Sequence, residues 1–505
     1  MEIIGSIILS IVQSILFYRK DLGISMVLFV IIANGIIYYI LNKKNKIKNK
    51  NAIGLMIPIV LLSSTYFIFA NTTFYIANIF VILVINLIMY VILTNEKHFF
   101  KNYLYRTFEL ATNTVKEYKA GIKLSNKASR KIITKNKNIN KENLKKMAIS
   151  LLIVFVVVGI VLILLASADM IFANLFSGIE NIFKNINIGS TFNIILRITI
   201  IVITYFLFLS LFLNIQKKNV QEERELKENS GKYDFTIKLL LIVLNLVYFV
   251  FCCIQIQSLF AKINIESSFD YAAYARTGFF QLMFVSFINF GVILISNKYY
   301  TKEEQLIKIL NLLLVIFTII IAISSMYRMH MYEIEFGLTY LRTFVYIILT
   351  TEIIAFIPII VYIFNKRFDF IKWCFIIGIC AYCVANYMNI EKLIISKNIS
   401  RNDVHPIDYE YIYKIVSQDS YEILEERLSQ EAVTSEEKLD ILNILLNITS
   451  NTKGLNWQEF NISKYKMKKI DRDTLLKQKD EINKEILKQE NDRSAISGSS
   501  YSNIL

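Results

Sequence analysis

The chain has 505 residues, of which 55% are hydrophobic, and its mean hydropathy is +0.47. Ordinary soluble domains are less apolar, and a disordered chain would not hold 36 Phe and 29 Tyr with only 3 Pro. The net charge of +15 is compatible with nucleic-acid binding, but its distribution along the chain favours a membrane protein. The composition therefore predicts a large membrane domain with room for a smaller appended domain.

Long apolar runs recur along the chain, and a helix needs about 20 apolar residues to cross a bilayer. The runs that meet or approach this length are residues 3–18, 22–41, 52–70, 73–94, 147–168, 191–215, 236–260, 275–296, 306–326, 343–364 and 370–388. The first run is short and is followed by Arg19 and Lys20, so its crossing stays open. We therefore predict an all-α fold: a polytopic transmembrane helix bundle of ten or eleven spans with a small helical carboxyl-terminal extramembrane domain.

Positive charge in the loops predicts the orientation of these spans, because lysine and arginine accumulate on the cytoplasmic side. Loop 42–51, NKKNKIKNKN, carries five lysines, and loop 95–146 has 14 Lys and Arg against 4 Asp and Glu. Both loops are predicted to be cytoplasmic, and alternation along the chain then places the carboxyl-terminal tail outside. Only Arg19 and Lys20 lie on the wrong side. The sequence thus predicts a multi-pass protein of the cytoplasmic membrane.

The basic loop begins with an amphipathic pattern. Apolar residues recur there every three or four positions, at Phe100, Leu104, Phe108, Ala111, Val115 and Tyr118. A basic amphipathic helix next to spanning helices is typical of an interfacial helix on anionic lipid. Because the loop has no nucleic-acid-binding motif and basic cytoplasmic loops are common in membrane proteins, we expect no nucleic-acid partner. The basic stretch 123–146 has no predicted role.

These features divide the chain into five parts. The tail after residue 388 is rich in both acidic and basic residues and predicts a small helical domain. The last residues, SAISGSSYSNIL, are typical of a disordered end. The predicted parts are the amino-terminal transmembrane helices 1–94, the basic cytoplasmic loop with its interfacial helix 95–146, the main transmembrane bundle 147–388, the extracytoplasmic helical domain 389–491 and the disordered tail 492–505.

Motifs of common enzyme classes are missing from the sequence. It contains no G-x-x-x-x-G-K-[ST], no G-x-G-x-x-G and no H-E-x-x-H. His98 is predicted inside and His330 and His405 outside, so the three histidines cannot converge on a metal ion. Cys380 and Cys383 have the spacing of a redox or metal motif, but in an apolar run they are better explained as small hydrophobic residues. We therefore expect no catalytic residue, metal or cofactor.

Unusual polar side chains gather near the ends of the spans that are predicted to face outward. A charged side chain at the edge of a bilayer is energetically unfavourable unless it is paired with an opposite charge, hydrated or part of a functional site. Glu352 is the clearest case, because it lies ten residues beyond Arg342, about 15 Å deeper at the helical rise and near the middle of the membrane. The candidate polar site consists of Asp169, Arg197, Tyr274, Arg276, Arg328, Glu333, Glu335, Arg342 and Glu352.

Two interpretations of this site stay open. In the first, the charges pair with one another and fix helix packing; the pairs that would suffice are Asp169 with Arg276, Glu335 with Arg342 and Arg197 with Glu352. In the second, the side chains bind a ligand or an ion. Asn245 and Asn289 are expected to hydrogen-bond within the bundle near Glu352. Gly278 and Gly337 are expected to allow close approach or a break of their helices.

Four segments carry a resemblance to a known family. They are LLASADMIFANLF, YAAYARTGFFQLMFVSFINFGVIL, SSMYRMHMYEIEFGLTYLR and NIEKLIISKNISRNDVHPIDYEYI. In this order, over about residues 22–428, the chain resembles the bacterial membrane family called domain of unknown function 4173 (DUF4173) and its relative DUF4153. The most specific parts are YARTGFF at 274–280 and RMHMYEIEFGLTYLR at 328–342. The resemblance implies a polytopic bacterial inner-membrane protein with no established biochemical activity, and it supplies no catalytic residues.

Two classes of function compete for this chain. A sensor or accessory module would bind an envelope ligand, or a partner membrane or signalling protein, at the outward-facing polar site; the extracytoplasmic tail and the lack of sequence repeats favour it. An ion-coupled transporter or permease would use Glu352; the buried acid and the number of spans favour it. A membrane enzyme acting on a lipid-linked substrate is a third alternative.

Cysteine accessibility tests the predicted orientation. Cysteines introduced at Ser435 and at Asn138 are expected to react with a membrane-impermeant maleimide from opposite sides, because the tail is predicted outside and the basic loop inside. Labelling is measured on intact cells and on inverted vesicles, with the five native cysteines replaced. Labelling of both positions from the same side would contradict the topology.

Overall fold

The computed structural model describes residues 1–116, 188–216, 234–260, 271–299, 305–401, 406–450 and 456–501. In these ranges the regular structure is helical throughout, and eight helices are long and apolar enough to cross a membrane. Two further apolar helical stretches are shorter: the helix Glu2–Phe17, and Gln281–Asn297 within the longer helix Tyr271–Tyr299. The all-α polytopic bundle predicted from the sequence is confirmed, and the chain is a multi-pass membrane protein. The predicted span 147–168 lies outside the described residues.

The helices up to residue 387 follow the predicted spans and the predicted interfacial helix. They are α1 (Glu2–Phe17), α2 (Ile24–Lys43), α3 (Met56–Ile68, preceded by a 3-10 helix at Lys50–Leu55), α4 (Tyr75–Thr94), α5 (Phe100–Lys116), α6 (Ile188–Ile215), α7 (Asp234–Phe260), α8 (Tyr271–Tyr299), α9 (Gln305–Phe336), α10 (Tyr340–Phe364) and α11 (Phe370–Tyr387). Long apolar runs therefore became helices, as the need to satisfy every backbone group inside a bilayer requires.

Backbone contacts divide the chain into two compact units. The first comprises Met1–Arg19, Ile32–Lys46 and Phe108–Lys218, and the second comprises Lys20–Ile31, Ile47–Thr107 and Asn219–Leu505.

The first unit is built around the packing of α1 on α6. Gly5 allows a close approach here, since a Cβ at this position would lie 2.6 Å from the side chain of Ile40 and 3.4 Å from that of Phe212. Glu2 forms an ion pair with Lys44. The short first apolar helix thus has its own packing partners.

The second unit contains a bundle in which α9 is central. This helix packs against α7, α8 and α10, and α11 in turn packs against α10 and α3. The core includes the fully buried side chains of Leu314, Val315, Phe356 and Ile359. Large aliphatic and aromatic side chains at these positions fill the space between the helices.

Two buried asparagines tie neighbouring helices to α9. The side chain of Asn245 donates to the carbonyl of Leu310 (3.1 Å), and that of Asn289 donates to the hydroxyl of Thr318 (3.0 Å). The predicted hydrogen bonding within the bundle is confirmed for both residues. Their partners lie on α9 and differ from the predicted neighbour, Glu352.

Helix α9 is longer than one membrane crossing. Its 32 residues span about 48 Å, against about 30 Å of hydrocarbon. The sequence predicted that the span would end at residue 326, but the helix continues to Phe336, because no helix-breaking residue precedes Gly337. Gly337 has φ +76°, a left-handed conformation that favours glycine, so the predicted break at this residue is confirmed.

The carboxyl-terminal helices have a separate hydrophobic core. Leu424, Ile441 and Leu445 are fully buried in it. The hydroxyl of Thr434 accepts from the backbone N–H of Glu437 (3.3 Å) at the start of a helix, as a helix-capping residue does. The helices are α12 (Ile390–Ile399), α13 (Tyr409–Ile415), α14 (Tyr421–Leu428), α15 (Ser435–Ser450), α16 (Ile462–Met467) and α17 (Arg472–Tyr501). The last helix continues into the segment for which the sequence predicted disorder.

Replacing Gly337 by alanine is expected to destabilise the protein by about 1–3 kcal/mol, because a residue with a Cβ is strained at this φ. The Cβ would also meet the side chains of Arg401 and Asn398, the latter with Oδ1 at 2.7 Å. Gly291→Ala is the matched control, since its Cβ meets no heavy atom within 4 Å. Thermal unfolding in detergent measures both changes. An equal effect of the two substitutions would contradict the role of Gly337.

Candidate functional site

The loop between α3 and α4 is held by side chains that follow it by more than 250 positions. The carboxylate of Asp419 accepts hydrogen bonds from the backbone N–H of Ala70 (3.0 Å to each oxygen) and of Asn71 (2.9 Å). The Asn71 amide donates to Glu391 (2.7 Å) and to the Tyr340 hydroxyl (2.6 Å). Polar contacts thus connect the α3–α4 loop to α10, to α12 and to the 3-10 helix Gln418–Ser420.

Asn461 closes the carboxyl end of α3. Its side-chain N–H group donates to the carbonyls of Tyr66 (3.0 Å) and Phe69 (2.7 Å). Its side-chain oxygen accepts from the backbone N–H of Lys464 (3.0 Å) at the start of α16. One asparagine therefore satisfies helix-end groups of a membrane helix and of a carboxyl-terminal helix.

A chain of amides and hydroxyls continues between the membrane helices. The Asn78 amide on α4 donates to Asn386 on α11 (2.7 Å) and to Thr65 on α3 (3.1 Å), and the Tyr382 hydroxyl donates to Asn78 (2.6 Å). Both asparagines are buried. Each polar group in this chain has a partner, as a buried polar network requires.

These contacts surround a cavity of about 300 Å³. Its walls come from the ends of α3, α4, α10 and α11 and from the carboxyl-terminal helices. Asp21 and Lys464 add a weak ion pair, with 4.0 Å between Nζ and Oδ2. The amides and carboxylate that line the cavity are Asn71, Asn78, Asn386, Asn389, Asn461 and Asp419. We call this feature the polar cavity; its size is at the lower end of small-molecule sites.

Glu391 lies next to the polar cavity and has no solvent exposure. One carboxylate oxygen accepts from the backbone N–H of Ser417 (2.6 Å) and from the hydroxyl of Ser420 (2.7 Å), and the other accepts from Asn71. Burial raises the pKa of this carboxyl to about 7, since desolvation and the nearby charge of Asp419 outweigh these hydrogen bonds. The group can therefore change its charge near neutral pH.

The loop between α9 and α10 contains two predicted site residues. Glu333, near the end of α9, is buried and accepts from the Tyr346 hydroxyl (2.8 Å) and from Lys397 Nζ (3.0 Å). The imidazole Nδ1 of His330 lies 3.8 Å from its carboxylate. The structure thus gives Glu333 a cation from α12.

The described contacts of Arg342 do not include the predicted acidic partner, Glu335. Its guanidinium lies over the ring of Tyr332, 4.2 Å from the centroid, and donates to the carbonyl of Gly337. Glu335, the predicted partner, has an exposed side chain, and its carbonyl accepts from the Arg401 guanidinium (3.0 Å). The predicted pair of Glu335 and Arg342 is therefore replaced by a cation–π contact and a hydrogen bond to backbone.

Arg197 and Glu352 each have a partner other than the predicted one. In the first unit, Arg197 Nε donates to the Ser14 hydroxyl (2.9 Å) and the guanidinium lies 5.5 Å from the ring centroid of Tyr18. In the second unit, Glu352 accepts from the Ser286 hydroxyl (2.8 Å). Glu352 is 6% exposed, and its second oxygen has no hydrogen-bond partner among the residues that the structure describes.

Glu352 also lines a second cavity, of about 480 Å³, between α8, α10 and α11. The other walls are almost entirely apolar, with Phe287, Phe290, Phe344 and Ala355 among them. We call this feature the Glu352 cavity. A carboxyl group in such surroundings must be neutral or be matched by a cation.

The remaining predicted site residues are placed only in part. Arg328 lies half-buried on α9. Asp169 and the side chains of Tyr274 and Arg276 lie outside the described residues, so the predicted pair of Asp169 and Arg276 stays a prediction. Across the ranges that are described, no group of three or more His, Cys, Asp or Glu side chains is positioned to hold a metal ion.

The residues around the polar cavity were not among the predicted site residues. Asn78 and Asn386 interrupt apolar runs, and this signal, which identified Asn245 and Asn289, was available for them too. Asp419 and Asn461 give no such local signal, because each binds backbone groups about 350 to 395 positions away along the chain.

The protonation of Glu391 predicts a pH dependence of stability. A carboxyl whose pKa rises from 4.5 to about 7 on folding binds more protons in the folded state, so stability falls as the pH rises through this interval, by on the order of 3 kcal/mol. Glu391→Gln mimics the protonated form and should remove this component. Thermal unfolding of both proteins between pH 5 and pH 8 measures the difference. Parallel pH profiles for the two proteins would contradict the assignment.

Comparison with known proteins assigns the sequence to a family. A family model described as a domain of unknown function, DUF4153, matches residues 56–427. The match covers most of the membrane helices and the first carboxyl-terminal helices, including Glu333, Glu352, Glu391 and Asp419. No curated protein and no solved structure matches the chain. Of the two related families that the sequence resembles, DUF4153 is the one shown, and the chain belongs to the DUF4153 family.

Proposed function

We propose that this DUF4153 protein is a ligand-binding membrane module that recognises a small polar molecule in the polar cavity. The observation that carries the proposal is the origin of the cavity walls, which come both from membrane helices and from the carboxyl-terminal helices. A molecule bound there contacts both parts at once. This is the arrangement that a sensor or accessory protein needs in order to convert binding into a change of structure.

The lining indicates the chemistry of the ligand. Amides such as Asn389 and the backbone around Ala70 offer both donors and acceptors. Asp21 and Lys464 supply one negative and one positive charge at the wall. A neutral or zwitterionic molecule with several hydrogen-bonding groups fits this lining better than an apolar molecule or a highly charged anion.

The contacts that close the polar cavity also hold the carboxyl-terminal helices in place. Asn461 and Asp419 contribute to the wall, and both bind backbone groups at the end of α3 or just after it. A ligand that binds only the closed arrangement shifts the population toward it. The carboxyl-terminal helices would then report occupancy to a partner protein, on the side that the topology predicts to be outside.

Ligand-dependent stabilisation tests this proposal. Purified protein is screened by thermal unfolding against amino acids, sugars and amino sugars, and a bound compound is expected to stabilise the fold by about 2.7 kcal/mol at 100 times its Kd. The double substitution Asp21→Asn with Lys464→Gln should remove the stabilisation by that compound. Lys392→Gln, an exposed lysine that does not line the cavity, is the control. Equal stabilisation of the cavity variant and the wild type would contradict binding in the polar cavity.

Transport is the second candidate function, and the Glu352 cavity favours it. A buried carboxyl group beside an almost entirely apolar space, with one oxygen that no described residue hydrogen-bonds, is a suitable carrier of a proton or a cation. In proteoliposomes, transport of a compound found in the screen should be lost in Glu352→Gln. If that substitution changes neither flux nor binding while the polar-cavity variant abolishes binding, the sensor proposal is favoured over transport.

A further inference from the structure

A third cavity lies at the opposite ends of α3 and α11 from the polar cavity. Its volume is about 730 Å³, and its walls are mainly apolar, with Ile57, Leu61, Phe375, Ile376 and Ile379 among them. It lies beside the start of the basic loop, which the topology predicts to be cytoplasmic. We call it the basic-side cavity. Neither the sensor nor the transport proposal makes use of it.

The basic-side cavity has the depth of one lipid leaflet. Its lining on α11 extends from Lys372 to Cys383, which corresponds to about 16 Å at the helical rise. This is about half of the 30 Å hydrocarbon thickness. A single acyl chain that enters from the membrane surface would therefore remain in contact with the wall to about the middle of the bilayer.

The surface end of the cavity is cationic. Lys97 and Lys372 line it with exposed side chains, and His98 lies beside them. In the described parts of the chain, neither lysine makes an ion pair. The carboxylate of Asp369 also lines the cavity, but it accepts from the backbone N–H groups of Phe100 (2.7 Å) and Lys372 (3.3 Å). The two ammonium groups thus outnumber Asp369, the one carboxylate among the residues that line this cavity.

Helix α5 provides an independent indication of the membrane surface at this point. Phe100 and Tyr103, in its first turn, line the cavity and are buried. Phe99, Tyr105 and Phe108 are 56%, 73% and 71% exposed. Exposed aromatic side chains on a basic amphipathic helix are typical of a helix at the headgroup level. The mouth of the cavity therefore lies where lipid headgroups are found.

We propose that the basic-side cavity binds an anionic phospholipid, with one acyl chain along α3 and α11 and the headgroup phosphate at Lys97 and Lys372. A free phosphate would leave the apolar walls unused, and a neutral lipid would leave the excess positive charge of Lys97 and Lys372 over Asp369 without a counter-charge. The site is independent of the proposed function, because it shares no residue with the polar cavity.

Native mass spectrometry of the full chain tests this site. The protein in detergent receives equal amounts of phosphatidylglycerol and phosphatidylcholine with the same acyl chains, and the wild type should retain phosphatidylglycerol preferentially. Lys97→Gln with Lys372→Gln should weaken phosphatidylglycerol binding by about fivefold per lysine and leave phosphatidylcholine unchanged. Lys43→Gln with Lys46→Gln is the control, since it removes the same charge from another basic loop; it should leave the preference intact.

A second substitution tests the acyl-chain position. Gly54 lines the cavity, and a Cβ there meets no heavy atom within 4 Å, so Gly54→Leu adds bulk to the cavity wall at a position with room for the start of a side chain. It should weaken binding of both lipids, whereas Gly35→Leu, also in open space but outside the cavity, should not. Wild-type binding of both lipids by the Gly54 variant, or an equal loss of preference in the two lysine variants, would overturn the proposal.

A measurement on the wild type decides the matter if a variant does not fold. Phosphatidylglycerol that carries a diazirine in its acyl chain is photo-crosslinked to the protein, and the labelled peptides are mapped. Labelling of residues 54–61 and 375–383 is the expected result. Labelling that avoids both segments would overturn the proposal.

Discussion

The ends of membrane helices present backbone groups that have no partner within their own helix, and in this protein the carboxyl-terminal helices supply the partners. Asn461 binds the last carbonyls of α3, and Asp419 binds the N–H groups that follow it. On the neighbouring loop, Asn398 donates to the carbonyl of Leu338 (2.9 Å) and accepts from its N–H (2.7 Å). Each buried backbone group left without a partner would cost about 1–3 kcal/mol. The carboxyl-terminal helices are thus part of the membrane bundle's stability, and the polar cavity is formed where the two meet.

Three buried carboxyl groups of the second unit differ in their hydrogen-bond partners, and these partners determine how each group carries its charge. Glu333 has a lysine and a phenol, so its charge is matched. Glu391 has only neutral donors, which do not fully replace water, and its pKa is raised to about 7. Within the described parts of the chain, Glu352 accepts from one serine, and its second oxygen has no hydrogen-bond partner. Glu333 is therefore suited to holding structure, whereas Glu391 and Glu352 are the groups whose charge can respond to a proton or a ligand.

The helices were predictable from the sequence because apolar length is a local property, and the described spans agree with the apolar runs. The position at which α9 ends was less predictable. The charged segment after residue 326 suggested the end of the helix, but Lys397 and Tyr346 accommodate its one buried acid, and the helix ends only at a glycine with positive φ. The polar cavity was not predictable, because its wall joins residues that are hundreds of positions apart. Such a site depends on the folded arrangement of the helices and leaves no periodic pattern.

Tyrosine explains why an ion pair with Glu335 was the wrong model for Arg342. The prediction assumed that a carboxylate is the most favourable partner for a buried guanidinium. Burying two ions requires both to be desolvated, which can cost more than their attraction returns. A phenol or an aromatic face costs less to bury and still attracts a cation. Arg342 accordingly lies over Tyr332 and Arg197 near Tyr18. In a chain with 29 tyrosines, aromatic rings are common enough to take this role, and acids such as Glu352 remain without a basic partner among their described contacts.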